Sequence, residues 1–205
     1  MICIVDYGVG NSQAFLNVFN RLGIDAIRAT NRDILKTATH LILPGVGNFD
    51  NAIQKLNESG MRETLEDMVL KLKKPLLGVC VGMQILADTS EEGKLPGLGW
   101  IPGKVRAFSK DSRSTILNLP HMGWNTLSFQ KSDSLLSNLD EELTQFYFLH
   151  SYYFEVKNKA DILATTCYGF DFNSVVSHNH IYGVQFHPEK SHKWGEQVLK
   201  NFSKI

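Results

Sequence analysis

Cys80 lies in the string Gly78-Val79-Cys80-Val81-Gly82, a G-x-C-x-G pattern. Residues 75–79 (PLLGV) read as a buried strand, and 81–88 (VGMQILAD) as a helix. A nucleophile on a strand-to-helix turn between glycines is the nucleophile-elbow arrangement, here with sulfur in place of a serine oxygen. A sharp turn presents the side chain at the top of a sheet, and Cβ atoms at 78 or 82 would crowd it. A free cysteine is only weakly ionised at neutral pH, and helix N-termini and imidazolium neighbours favour its thiolate. The N–H of Val81, at the same helix start, can face a developing oxyanion. The plainer alternative is a packing turn around an inert thiol; the strand-to-helix context favours chemistry.

Thiol chemistry needs an imidazole and a group to orient it. Seven histidines compete. His40 opens an apolar strand. His178 and His180 are two apart and could share a strand face, but no acidic or cysteine neighbour in sequence completes a metal site. His192 starts a helix and is expected to face solvent. His187 stands apart, because Phe186-His187-Pro188-Glu189 follows a buried strand. Pro188 ends the strand, and His187 and Glu189 can then point to the same side. A carboxylate beside an imidazole favours its protonated form and selects one tautomer. Pro44-Gly45-Val46-Gly47 also follows a strand. Its amides, that of Val46 above all, offer a second oxyanion donor, and the flanking glycines make reorientation of that peptide cheap. A phosphate loop would need the Walker lysine and hydroxyl, which are missing here.

The elements that position these groups alternate along the first half. ICIVD (2–6) reads as a strand, 12–23 as a helix stopped by Gly23, DAIRA (25–29) and HLILP (40–44) as strands, and 49–58 and 61–72 as helices. Such alternation predicts parallel βαβ units. From about residue 99 the runs become short, β-rich and turn-divided: GWIPGKVRAF, STILNL, GWNTLSF, QFYFLHSYYF, DILATTCYG, NSVVSH. They predict antiparallel or mixed strands added to the sheet, followed by a strand at 181–186 and a closing helix at 191–203. The fold class is therefore α/β, an open three-layer sandwich with a mostly parallel central sheet, and ligands are expected at the carboxyl ends of its strands.

The chain has 205 residues, 43% of them hydrophobic, and a formal net charge of zero. It suits one domain over 1–205, and its charge gives no pull towards nucleic acid or anionic lipid. The N-terminus carries neither a signal-peptide nor a membrane-span pattern, so a cytoplasmic location is expected. Cys3, Cys80 and Cys167 form no CxxC pair, which argues against zinc and disulfides. Cys3 and Cys167 lie in apolar strand-like runs and are expected to be small buried residues. The pattern calls for neither metal nor cofactor.

With GVCVGMQ (78–84), PGVG (44–47), PHMGWN (120–125), HSY (150–152) and FHPEKS (186–191) in this order, the chain resembles class I, triad-type glutamine amidotransferases over essentially its whole length. PHMGWN and DYGVGN (6–11) narrow the resemblance to the glutaminase subunits of imidazole glycerol phosphate synthases. The resemblance implies that Cys80 attacks the amide of L-glutamine, with His187 as acid and base and Glu189 as its orienter. It also implies oxyanion amides from Val46 and Val81, and a glutamine site of Gly47, Gln84, Glu92, Ser151 and Tyr152. The partner it implies is a (β/α)8-barrel cyclase that receives the ammonia, with Asn11, Met122, Trp124 and Lys190 near the interface. The chain stops soon after FHPEKS, with no acceptor domain expected in it. One rival keeps the active site and changes the partner to a sugar amidotransferase of surface-polysaccharide synthesis. An α/β-hydrolase is disfavoured because its acid precedes the histidine in the chain. A binding module without chemistry would not need thiol, base and orienter together.

Overall fold

The computed structural model describes residues 1–111 and 117–205. Its centre is an eight-stranded sheet built from β1 (Ile2–Val5), β2 (Ala26–Ala29), β3 (His40–Gly45), β4 (Leu76–Cys80), β8 (Ser128–Phe129), β11 (Ile162–Tyr168), β12 (Phe170–His178) and β13 (Ile181–Val184). The spatial order is β2-β1-β3-β4-β13-β12-β11-β8. Neighbours from β2 to β13 run parallel, and β12, β11 and β8 continue the sheet antiparallel. Consecutive residues of β1, β4 and β13 are all buried. Both faces of the sheet are therefore covered, as crossover helices on a parallel sheet require.

The helices follow the predicted spans with two differences and one addition, the short helix Arg32–Leu35. Helix α1 (Ser12–Arg21) is capped by Asn11, whose side chain accepts from the Ala14 N–H at 3.1 Å. Short helix α2 (Arg32–Leu35) packs on β1 and β2, and α3 (Phe49–Glu58) starts right after the PGVG loop. The expected 61–72 helix is instead α4 (Arg62–Glu66) followed by a π-helical turn over Asp67–Lys71. The expected 81–88 helix is cut to α5 (Val81–Gln84). Its continuation is prevented because the carbonyls of Ile85, Leu86, Ala87 and Asp88 accept instead from the N–H groups of residues 97–101. Helix α6 (His192–Phe202) closes the chain and contacts α1.

The second half corrects one expectation. Only β8, β11 and β12 extend the main sheet antiparallel. The others make two small sheets: β5 (Thr89–Ser90), β6 (Gly103–Ala107) and β10 (Tyr152–Val156) form one, and β7 (His121–Asn125) with β9 (Phe146–His150) form the other. Phe108, Phe148 and Phe172 fill the space between these sheets and the main one. Residues 114–116 of the STILNL segment lie outside the described residues, and 117–119 are not a strand. Cys3 is buried as predicted, but Cys167 is exposed, because its position in β11 turns the side chain to solvent.

Glycines decide how close the elbow lies to the sheet. A Cβ on Gly82 would overlap the Leu43 carbonyl oxygen, and one on Gly45 would overlap the Gly82 nitrogen. A Cβ on Gly78 would sit 2.7 Å from the Gly82 oxygen. Helix α5 thus rests directly on the backbone of β3 and β4. Gly82→Ala is expected to cost about 3 kcal/mol or more through overpacking. Gly23→Ala, with nothing within 4 Å of its Cβ, should cost only the ~1–2 kcal/mol of a left-handed backbone. Urea denaturation of the two variants checks this; equal midpoints would contradict the close approach.

Candidate active site

Three strand ends meet at Cys80. Gly45 pairs with Cys80 across β3 and β4, and Val184 pairs with Val79 across β13 and β4. One residue further, Gln185 runs beside Cys80. Cys80 itself has φ 55° and ψ −114°, a backbone state that a non-glycine residue holds only under constraint. The turn seats its sulfur at the wall of a cavity of about 280 Å³. The Leu149 carbonyl oxygen at 3.8 Å and Gln185 Nε2 at 3.7 Å flank the sulfur.

His187 reaches the same cavity from the end of β13. Its N–H donates to the Tyr147 carbonyl at 2.9 Å, and Ser191 Oγ donates to its carbonyl at 2.6 Å. The single turn over Pro188–Lys190 brings Glu189 round, so that His187 Nδ1 meets Glu189 Oε1 at 2.9 Å. Both side chains are nearly sealed, with 4% and 3% exposure. The carboxylate fixes the proton on Nδ1 and leaves Nε2 for the sulfur side. Burial works against a charge on this ring, but hydrogen bonds to Cys80 and Glu189, with their charges, outweigh it and raise the His187 pKa to about 10. At neutral pH the ring is an acid with its proton in place.

The remaining predicted residues line the cavity with Cys80 and His187: Val46, Gly47, Val81, Gln84, Glu92, Ser151, Tyr152 and Lys190. Val81 opens α5, so its N–H is one of the unpaired donors of a helix start. Gly47 has φ 84°, and Val46 is exposed at the lip. Glu92 Oε2 accepts from the Phe49 N–H at 2.9 Å, and burial raises its pKa. The Tyr152 phenol is kept protonated by burial and by the Glu92 and Glu91 carboxylates. Gln84 uses its amide nitrogen on the Tyr152 carbonyl and on Gln185 Oε1, both at 3.1 Å. Only its oxygen is left to face a ligand.

Asn11, Met122 and Trp124 fall outside the cavity. Met122 and Trp124 project from β7 with 65% and 46% exposure, so Trp124 is a surface residue and not a core one. The His192 ring stacks on Trp124, with centroids 5.1 Å apart and planes 8° apart. Lys190 is exposed and lies over the Tyr147 ring. Asn11 is exposed at the start of α1. His178 and His180 take different partners. His178 Nδ1 meets Asp161 Oδ2 at 3.2 Å, an acidic partner that its sequence neighbourhood does not contain, and His180 Nε2 faces the Val69 carbonyl.

Three residues at the site escape the sequence reading: Gln185, His150 and His121. Gln185 is fully buried against the Cys80 sulfur. The signal was its place two residues before His187, on the same side of an extended segment. His150 and His121 are buried partners across β9 and β7, with Nδ1 of His121 and Nε2 of His150 at 3.0 Å. Period-two alternation with the exposed Met122 and Trp124 marks His121 as inward-facing.

A family model described as "Glutamine amidotransferase class-I" matches residues 3–205. The chain belongs to the class I glutamine amidotransferases. Within that family it is 53% identical over 205 residues to "Imidazole glycerol phosphate synthase subunit HisH" of Bdellovibrio bacteriovorus, covering all of both chains. It is 48% identical to the protein of the same name from Leptospira interrogans, again over all of both chains. Among solved structures, one titled "Crystal structure of glutamine amidotransferase" matches with a TM-score of 0.76 at 19% identity, covering 100% of this chain and 99% of that one. A glutamine amidotransferase from Thermotoga maritima matches with a TM-score of 0.64 at 14% identity, covering 99% and 82%. At those identities the likeness concerns the amidotransferase fold.

The raised His187 pKa has a consequence for stability. The unfolded chain gives up this proton near pH 6.5 and the folded one near pH 10. The contribution is therefore complete below about pH 6.5 and is lost as pH rises to about 10. In Glu189→Gln the ring should titrate well below 10, and the alkaline loss of stability should flatten. Histidine ring NMR across pH 5–11 reads the first effect and urea midpoints the second; a ring that still titrates near 10 would exclude Glu189 as its partner.

Proposed function

We propose that this chain is the glutaminase subunit of an imidazole glycerol phosphate synthase, with Cys80, His187 and Glu189 as its catalytic triad. The Cys80 sulfur, as thiolate, attacks the side-chain amide carbon of L-glutamine, and the carbonyl electrons move onto oxygen. The N–H groups of Val81 and Val46 stabilise that oxyanion, a donor of this kind being worth roughly 3–4 kcal/mol. Collapse breaks the C–N bond, and His187 gives the departing nitrogen its proton. Water then attacks the γ-glutamyl thioester while His187 takes a water proton, and cleavage of the C–S bond releases glutamate and regenerates the sulfur. Glu189 holds the imidazole in one tautomer through both halves.

The single observation that carries the triad is the buried His187 Nδ1 to Glu189 Oε1 contact of 2.9 Å on a ring whose other side interacts with Cys80. The cavity lining supports the glutamine site. Glu92 pairs the substrate ammonium, and Gln84 Oε1 and the Tyr152 phenol meet the polar backbone of glutamine. Gly47 and Ser151 complete the wall. These assignments agree in chemistry with a zwitterionic amino acid beside a thiol.

Ammonia set free in water is protonated and lost to synthesis, so it needs a receiver. The receiver is a (β/α)8-barrel cyclase. Met122, Trp124 and Leu149 form one exposed apolar strip on β7 and β9, with Val46 exposed at the cavity lip, Lys190 beside it and Asn11 on α1. Aromatic and methionine anchors of this kind suit a protein interface. The name shared by the relatives favours the histidine-pathway cyclase over a sugar amidotransferase.

Two outcomes are expected. Cys80→Ser should lower glutamine-dependent synthesis by the complex at least ~10³-fold, while synthesis from added ammonium salts survives; a complex dead with ammonia as well would give Cys80 another role. Deletion of the gene should produce histidine auxotrophy, read by growth with and without histidine. An altered surface polysaccharide with normal histidine synthesis would favour the other partner.

A further inference from the structure

One carbonyl sets the direction of every hydrogen bond between strand β7 and the nucleophile. The Tyr152 carbonyl oxygen can only accept. It lies 3.1 Å from Gln84 Nε2 and 2.7 Å from His150 Nδ1. Gln84 therefore presents its N–H groups there, and the Gln185 atom 3.1 Å from the same nitrogen must be the carboxamide oxygen. That turns the Gln185 N–H group onto the Cys80 sulfur at 3.7 Å. On the other side, His150 Nδ1 must carry a proton. Burial holds the His150 pKa at about 3 and the His121 pKa at about 4, so each ring has one proton and one lone pair. His150 Nε2 then accepts from His121 Nδ1 at 3.0 Å, and His121 Nε2 accepts from Asn125 Nδ2 at 3.3 Å. Asn125 is tied in turn to the Cys167 carbonyl and the Thr126 N–H.

The sulfur sits between unlike neighbours. The Leu149 carbonyl accepts from a thiol and repels a thiolate, whereas an amide N–H donor binds the thiolate more strongly. His187 and Gln185 are the two donors beside the sulfur among the described residues. Tyr7 also feels its charge.

We infer that Gln185 is a further catalytic residue, its side-chain N–H donating to the Cys80 sulfur, and that Gln84, His150 and His121 are positioning residues that tie this amide to strand β7. The strand that carries Met122 and Trp124 on its outer face carries His121 on its inner one. A shift of β7 changes the geometry of a donor to the sulfur through buried, hydrogen-bonded groups. The inference rests on the glutaminase reading only for the reaction that this donor serves; the donor itself is a property of the sulfur.

The first readout is the rate of Cys80 alkylation by iodoacetamide, followed on the Cys80 peptide by mass spectrometry in the full chain from pH 5 to 10. Gln185→Met keeps an unbranched side chain and removes the donor. It should slow alkylation about tenfold at pH 6 and by much less at pH 10. His150→Phe, matched to the aromatic surroundings of His150, should show the same pattern more weakly. His150→Asn, which retains a donor near the Nδ1 position, should restore the wild-type profile, as a purely packing role would not. In complex with the cyclase, Gln185→Met should lower kcat about tenfold with KM nearly unchanged. If Gln185→Met does not fold, the wild type suffices: a single glutamine side-chain NH2 pair in ¹⁵N spectra should move with Cys80 ionisation and change on alkylation. Wild-type alkylation profiles in the folded variant, or an NH2 pair indifferent to Cys80, would overturn the inference and leave the functional reading intact. A wild-type complex that fails to hydrolyse glutamine would overturn that reading and leave the alkylation result standing.

Discussion

Two backbones touch at the elbow, and the rest of the site depends on that contact. Helix α5 can begin at Val81 only because Gly82 lies against the Leu43 carbonyl and Gly45 against the Gly82 nitrogen. Any Cβ at these points would lift the helix from the sheet. The elbow would then lose its hold on Cys80, whose φ of 55° persists only while its neighbours over-determine it. Close packing of peptide on peptide thus does what no single side chain does. It fixes the direction of one sulfur at the cavity wall.

Around that sulfur the protein assembles charge and dipole from distant parts of the chain. His187 and Glu189 come from the turn after β13, the PGVG loop from the end of β3, and the Leu149 carbonyl from β9. A buried imidazole would ordinarily shed its proton. Here the neighbouring carboxylate and sulfur overcome burial and hold the proton to about pH 10. Two other buried rings, His121 and His150, have no such carboxylate and stay neutral. The same residue type therefore keeps its proton in one place and is a neutral connector a few ångströms away, and the difference is the charge of the partner.

The outer edge of the site is apolar and exposed, and its inner edge is polar and buried. Met122, Trp124 and Leu149 share one strip, while His121 and His150 lie behind it on the same two strands. In a β-ribbon this division is unavoidable, since alternate residues face opposite sides. It places any protein that covers the strip one residue away from the hydrogen bonds that end at Cys80.

The local signals in the chain were strong where they repeat over short distances. The parallel core strands, the elbow at 78–82 and the His187–Glu189 pair were all legible from spacing alone, because alternation, glycine placement and a strand-ending proline act within a few residues. The class I amidotransferase family was legible from the order of its motifs. The early end of α5, the division of the later strands into three sheets and the exposure of Cys167 were not, because segments remote in sequence capture the carbonyls after Gln84 and choose the strand partners. Gln185, His150 and His121 were missed for the same reason. Each is an ordinary polar residue in an apolar run, and its role exists only once the Tyr152 carbonyl is brought between them. Sequence determined which groups were available and how each short segment would bend; tertiary structure decided which donor met which acceptor, since hydrogen bonds across 69 or 101 positions of chain have no local cause.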